Sequence, residues 1–148
     1  MKEGSGISPE LESTADIIRG MGFSVVEAQY RRLRGSCQVS IFIYRPEGVT
    51  LKDSTDVYRT VMPRLEVSLE SRDINLEISS PGISRKITHF GEFSIFSGRR
   101  VRVMRTGEND WVEGTIVSAD ENELVIAAEE GEIRYKRDDI VKAKISEG

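Results

Sequence analysis

Residues 76–85, Leu-Glu-Ile-Ser-Ser-Pro-Gly-Ile-Ser-Arg, divide this chain into two stretches of different periodicity. Leu76 and Ile78 alternate with polar residues as in a half-buried strand, and the strand runs straight into a polar turn. Pro81 presets φ for that turn, and Gly82 tolerates a positive φ. Before the segment, apolar residues recur twice at helical spacing, with strand-like runs between them. After it, short strand-like runs follow one another with no helical pattern longer than a turn. This change of pattern predicts an α+β chain of two small domains, residues 1–86 and 87–148.

The first stretch reads α-β-β-α-β. Ser8-Pro9 marks a helix start, with Ser8 as the N-cap and Pro9 where its missing N–H costs nothing. Leu11, Ala15, Ile18 and Met21 share one helical face, and Gly22 follows as the residue able to turn left-handed. Residues 1–7, with Gly4, Ser5 and Gly6, read as a flexible tail. Residues 23–32 and 38–44 carry the β-branched and aromatic side chains of strands, joined by Arg34-Gly35-Ser36. A second helix is expected from Asp53, with Val57, Val61, Leu65 and Leu69 as its buried stripe. Pro63 lies inside that stripe and predicts a kink or break near Met62. Residues 74–79 form the third strand. Two helices on one face of a three-stranded sheet make a two-layer sandwich, similar in layout to KH-type RNA-binding domains. Those domains clamp a nucleotide backbone with a G-x-x-G loop between helices, and no such element occurs here.

In the second stretch, Phe90, Phe93 and Phe96 fall at i, i+3, i+6 and predict a helical turn that plugs a small core. Strands are expected at residues 100–105, 111–119, 123–128, 132–136 and 141–145, separated by Gly-, Asn- and Asp-containing turns. Five short strands with regular turns predict a small closed β-barrel, Sm-like or SH3-like, in which Gly114 provides a bend.

Of the 148 residues, 21 are basic and 25 acidic. Residues 1–86 carry 12 of each, and residues 87–148 carry 9 basic and 13 acidic, so the whole excess of −4 lies in the second stretch. A dominant phosphate-binding surface normally appears as a basic excess, and none is visible at domain level. The acidic second part suits a basic partner protein better than bare RNA. No apolar run reaches the ~18 residues of a membrane span, and no signal peptide is evident. The single cysteine, Cys37, excludes an internal disulfide and a multi-cysteine metal site, and fits a cytoplasmic location.

Ser79 and Ser80, with His89 nearby in sequence, invite a nucleophile–base reading. No acidic orienter or G-x-S-x-G motif accompanies them, and Ser-Pro-Gly is ordinary turn chemistry, so no enzyme activity is expected. A lone histidine cannot hold a metal, and Cys37 reads as a strand residue. Arg31, Arg32, Arg34 and Arg45 cluster around the first hairpin, beside Tyr30 and Tyr44, as a candidate patch for RNA phosphates and stacking. Arg100 and Arg102 project from one face of a later strand, with Arg99 and Arg105 flanking them, and Arg85 closes the junction. Glu121, Glu123, Glu129, Glu130 and Glu132 gather on the second domain's turns as a platform for a basic protein.

The junction resembles the hallmark L-E-V-S-S-P-G-[LI]-D-R-P of the bacterial ribosome maturation factor RimP family. The order of elements along the chain matches as well, including Val49-Thr50-Leu51-Lys52-Asp53 at the entry to the second helix. Gly114, Ile116, Asp120 and Leu124 also fall at Sm-like spacing, without the glycine-containing loop that reads uridines in Sm rings. Where the family usually has L/I-D-R-P, this chain reads Ile83-Ser84-Arg85-Lys86, losing an acid and a proline and so stiffness at the junction. The resemblance implies a KH-like N-terminal domain, an Sm-like C-terminal barrel, and a monomeric cytoplasmic assembly factor for the small (30S) ribosomal subunit. It would contact a ribosomal protein and rRNA, with Ser79, Ser80, Pro81 and Gly82 as the junction motif. No cofactor, metal, membrane or small-molecule substrate is implied. The alternative reading is a small RNA-binding regulator that acts through the basic hairpin.

Overall fold

The computed structural model describes residues 1–81 and 85–146. It is α+β with two sheets, and the chain divides into two compact units. One is Gly6–Pro81, and the other joins Met1–Ser5 to the chain beyond Pro81. Gly82, Ile83 and Ser84 of the junction motif lie outside the described residues.

The first unit runs β1 (Gly6–Ile7), a 3-10 turn (Pro9–Leu11), α1 (Glu12–Gly20), β2 (Ser24–Leu33), β3 (Ser36–Tyr44), α2 (Leu51–Ser68) and β4 (Ile74–Ser79). The sheet order is β1-β2-β3-β4. β2 and β3 form an antiparallel hairpin, whereas β1 and β4 add to its two sides in parallel. The predicted three strands are therefore four, because Gly6 and Ile7, expected in a tail, pair with Glu27 and Ala28. Alternation decides which face is buried. Cys37, Val39, Ile41 and Ile43 point into a core completed by Leu11, Ala15 and Ile18 of the first helical segment and by Val57, Val61 and Leu65 of α2. On the other side of the same strands lie polar residues, Gln29 and Arg31 opposite Ser40 and Gln38, then Glu77 and Asn75.

Three local expectations change. α2 starts at Leu51, with Thr50 as its N-cap, and Asp53 is the third helical residue of a capping box. The Thr50 side chain accepts from Asp53 N at 3.0 Å, and Asp53 Oδ2 accepts from Thr50 N at 2.9 Å. The helix also continues through Pro63. Pro63 lies on the exposed side, as does Arg59, whose carbonyl has no intrahelical donor at position 63. The hairpin turns on two residues, Arg34 and Gly35, with Gly35 at φ +69°.

The second unit contains β5 (Lys86–Ile87), α3 (Glu92–Ile95), β6 (Arg100–Arg105), β7 (Trp111–Ala119), β8 (Glu123–Ala128), β9 (Gly131–Lys136), a 3-10 turn (Arg137–Asp139) and β10 (Ile140–Ile145). The closed five-stranded barrel expected from sequence is instead a six-stranded sheet of order β5-β10-β6-β7-β8-β9. After the 3-10 turn the chain crosses over, so β10 pairs with β6 and not with β9. The two residues of β5 occupy the other side of β10, and β9 and β5 remain the sheet's two ends. Phe90, Phe93 and Phe96 are buried as the expected plug, with Phe90 and Phe93 edge-to-face at 5.2 Å. Gly114 is required by proximity, since a Cβ there would sit 2.8 Å from the Ala127 carbonyl oxygen. The register of β7 against β8 shifts between Ile116 and Ser118, past Gly114.

Candidate nucleic-acid interface

Three strands of the second unit alternate charge with burial. On β10, Lys142 and Lys144 flank buried Ala143, and on β6, Arg100 and Arg102 flank buried Val101. The intervening residues fill the core, so the charged ones share the outer face. On β7, Trp111 and Glu113 take that face, and Glu113 stands opposite Arg102. The register then sets a transverse row: Lys86 on β5 opposite Lys144 on β10, Lys144 opposite Arg102 on β6, and Arg102 opposite Glu113 on β7. A parallel row runs from Lys142 through Met104 to Trp111.

Three cations in succession across neighbouring strands repel one another, at a spacing of about 4.8 Å between strands. One carboxylate offsets part of this. Glu113 Oε1 accepts from Arg100 Nη2 at 2.8 Å, and its Oε2 accepts from Arg102 Nε at 3.1 Å. Hydrogen bonds from Arg100 and then Arg102 hold the Glu113 carboxyl below the usual carboxylate range. Among the described residues, Lys86, Lys142 and Lys144 have no carboxylate within ion-pair distance. Instead, Lys142 Nζ and Lys144 Nζ lie 5.7 Å and 5.3 Å from the centre of the Trp111 ring. The indole remains 37% exposed. Five cations, one acid and an aromatic ring thus form one surface on the acidic part of the chain. Its far margin, where Arg100, Trp111 and Glu113 line an open groove with Glu129 and Glu130, is acidic.

Comparison with known proteins places the chain in a family. Residues 13–84 match the family model described as the RimP N-terminal domain. The chain is similar to the ribosome maturation factor RimP of Borrelia hermsii (strain HS1 / DAH), 32% identical over 126 residues, covering 85% of this chain and 86% of the relative. It is 32% identical over 126 residues, with the same coverage, to that of Borrelia turicatae (strain 91E135). For the protein of that name from Borrelia recurrentis (strain A1) the figures are 30% over 131 residues, 88% of this chain and 90% of the relative. The chain belongs to the RimP family.

The RimP N-terminal match stops at residue 84, so the cationic face lies beyond it. Within the matched part the predicted arginines divide, since Arg31, Arg32 and Arg34 lie near the hairpin tip and Arg45 does not join them. Arg31 and Arg34 are exposed near the hairpin tip. Arg32 donates from Nη2 to the Leu69 carbonyl at 3.0 Å and from Nε to the Tyr30 hydroxyl at 3.1 Å. Arg45 stands at the opposite end of the hairpin, about 20 Å along the strand from Arg31. It pairs with Asp53 at 2.6 Å and covers the Phe23 ring at 4.7 Å. Arg85 is 10% exposed and is joined to Glu92. Arg105 stacks on the Tyr135 ring at 5.0 Å.

Of the junction motif, Ser79 ends β4 with its hydroxyl buried and no partner among the described residues, and Ser80 is exposed. His89 Nδ1 lies 3.1 Å from Thr88 Oγ1 and 3.8 Å from Glu92 Oε2. Among the described residues, no group of three or more His, Cys, Asp or Glu side chains is placed to hold a metal. No helix of the described residues is long and apolar enough to cross a membrane. Sequence reasoning selected Arg100 and Arg102 but missed Lys86, Trp111, Lys142 and Lys144. Period-2 spacing of Lys142 and Lys144 was the available signal, whereas their meeting with β6 and β7 depends on long-range register.

Proposed function

We propose that this chain acts in ribosome maturation as a non-enzymatic assembly factor for the small ribosomal subunit. Membership of the RimP family supports the maturation role, and relatives carrying that name align with most of the chain. The observation that carries the geometric side is the cationic face around Arg100 and Arg102, because a locally basic sheet on an acidic chain is suited to rRNA phosphates. We read the two compact units, which divide after Pro81, as a KH-like and an Sm-like module presented by the Ser79-Ser80-Pro81-Gly82 junction. The carboxylates of the β7–β8 and β8–β9 turns would face a basic ribosomal protein. Binding energy does the work in this reading: the monomeric cytoplasmic protein holds an immature particle, then leaves it. Arg31 and Arg34 remain available at the hairpin tip as a lesser RNA contact, while Arg32, Arg45 and Arg85 act chiefly within the fold.

Sedimentation of cell extract containing the tagged protein tests the proposal. Co-migration with free small subunits, and not with translating ribosomes, is expected. Absence from every ribosomal fraction at low salt would overturn it.

A further inference from the structure

We infer that the outer face of the β5–β10–β6–β7 sheet is a binding site for single-stranded RNA, with Trp111 stacking on a base and Lys86, Arg102, Lys142 and Lys144 holding phosphates. The inference deepens the proposed ribosomal role and rests on it for the biological source of the RNA. Three observations favour this occupant. The Lys86–Lys144–Arg102 row sets like charges opposite one another across three strands, a repulsion that Glu113 offsets at Arg102 and that a bound polyanion would relieve at the lysines. The row lies beside an exposed indole, and two ammonium groups within 6 Å of that ring put phosphate contacts next to a stacking surface. That combination of cationic face and aromatic platform is the general chemistry of single-strand binding, in which any base offers a π-face.

The charge gradient gives the site a direction. Glu129 and Glu130 line the groove on the β8–β9 side and repel phosphates, which confines the strand to the β5–β10–β6 side. Duplex RNA fits less well, because its bases are already stacked and cannot reach the ring. An acidic protein segment would satisfy the lysines but would not stack on Trp111.

The chain contains one tryptophan, so its fluorescence reports this site alone. The experiment titrates the full-length protein with octauridylate, octaadenylate, an RNA duplex of equal length and a polyglutamate of equal charge. Both single strands should quench the emission, with log affinity falling against log salt at a slope of about −2 to −3 for three or four phosphates. Duplex and polyglutamate should leave it unchanged. Lys144→Gln should weaken single-strand binding at least tenfold while its thermal midpoint stays level or rises, because the substitution removes the repulsion from Lys86 and Arg102. A structural role for Lys144 would move affinity and stability in the same direction.

Equal quenching by polyglutamate would overturn the assignment to RNA in favour of an acidic protein. No quenching by either single strand would overturn it outright. In the second case, wild-type protein that still co-sediments with small subunits leaves the ribosomal reading standing, so the two failures are distinguishable.

Discussion

Arg85 Nε donates to Glu92 Oε1 across 2.9 Å, with the Arg85 side chain 10% exposed and that of Glu92 1% exposed. The second carboxylate oxygen accepts from Thr88 N, Thr88 Oγ1 and His89 N at 3.1 to 3.2 Å. The carboxylate therefore closes the loop between β5 and α3 upon itself, immediately after the junction. Burial of a charge on this scale is tolerable because both carboxylate oxygens accept hydrogen bonds and one faces a guanidinium. The arginine of the family hallmark, expected from sequence as a binding residue, is here a partner that keeps a buried acid satisfied.

Glu92→Ala removes one buried acceptor from the Arg85 guanidinium and the acceptor shared by two backbone N–H groups. The expected loss is about 3–5 kcal/mol, the cost of breaking a buried pair. Glu92→Gln, which keeps one acceptor oxygen, should lose less. Denaturant unfolding followed by Trp111 emission measures both within the same unit.

The capping box gives a second prediction. Thr50→Ala removes the acceptor for Asp53 N and should cost about 1 kcal/mol. Asp53 adds a pH dependence: the hydrogen bond from the Thr50 backbone N–H, foremost, holds its carboxyl below the usual range, with Arg45 assisting. A depressed folded pKa contributes stability above the unfolded value and loses it as pH falls through the folded value. Asp53→Asn should therefore flatten the acid limb of the stability profile, below about pH 5. Circular dichroism melts of wild type and variant across that range test it.

What sequence could reveal depended on element length and on how local each interaction is. α1, β3 and β4 were legible because several residues of each repeat one periodicity against one core. β1 and β5 have two residues apiece, too few to show any period, yet each extends a sheet. Pro63, expected to kink or break α2, does not break it, because a proline's cost depends on which side of the helix it occupies. Barrel closure misled for a similar reason: β10 chooses between two sheet edges, and nothing within its six residues records the choice. The candidate site follows this rule, since Arg100 and Arg102 share a strand whereas Lys86, Lys144 and Trp111 are assembled by pairing.

Two glycines separate contact from conformation. At Gly114 an added Cβ meets the Ala127 carbonyl oxygen at 2.8 Å and the Ile126 Cδ1 at 3.2 Å, with an ordinary backbone angle. Gly114→Ala must push β7 away from β8 and should lose about 1–3 kcal/mol. At Gly35 nothing lies within 4 Å, but φ is +69°. Gly35→Ala should cost about 1–2 kcal/mol from backbone strain alone. Introducing Asn, which tolerates the left-handed region, should recover part of the loss at position 35 and none at 114. Thermal melts of the four variants distinguish the two causes.

Among the described residues, Glu113 is the one carboxylate inside the cationic row, and it holds back two of the groups that would meet phosphate. Glu113→Gln removes its charge and releases Arg100 and Arg102, so single-strand RNA affinity should rise severalfold and the salt slope should steepen. Stability should fall at neutral pH, because two guanidiniums lose a charged acceptor beside other cations. The sign with pH follows from the depressed carboxyl: its stabilising contribution is present above the usual carboxylate range and disappears as pH falls through the folded value. Wild type and Glu113→Gln should thus converge in stability toward the acid end, and wild-type RNA affinity should climb toward that of the variant over the same interval. Parallel titrations of Trp111 quenching and unfolding midpoint against pH measure both. A Glu113→Gln protein that binds RNA more weakly would mean that Glu113 orients the two arginines for the ligand and does not restrain them.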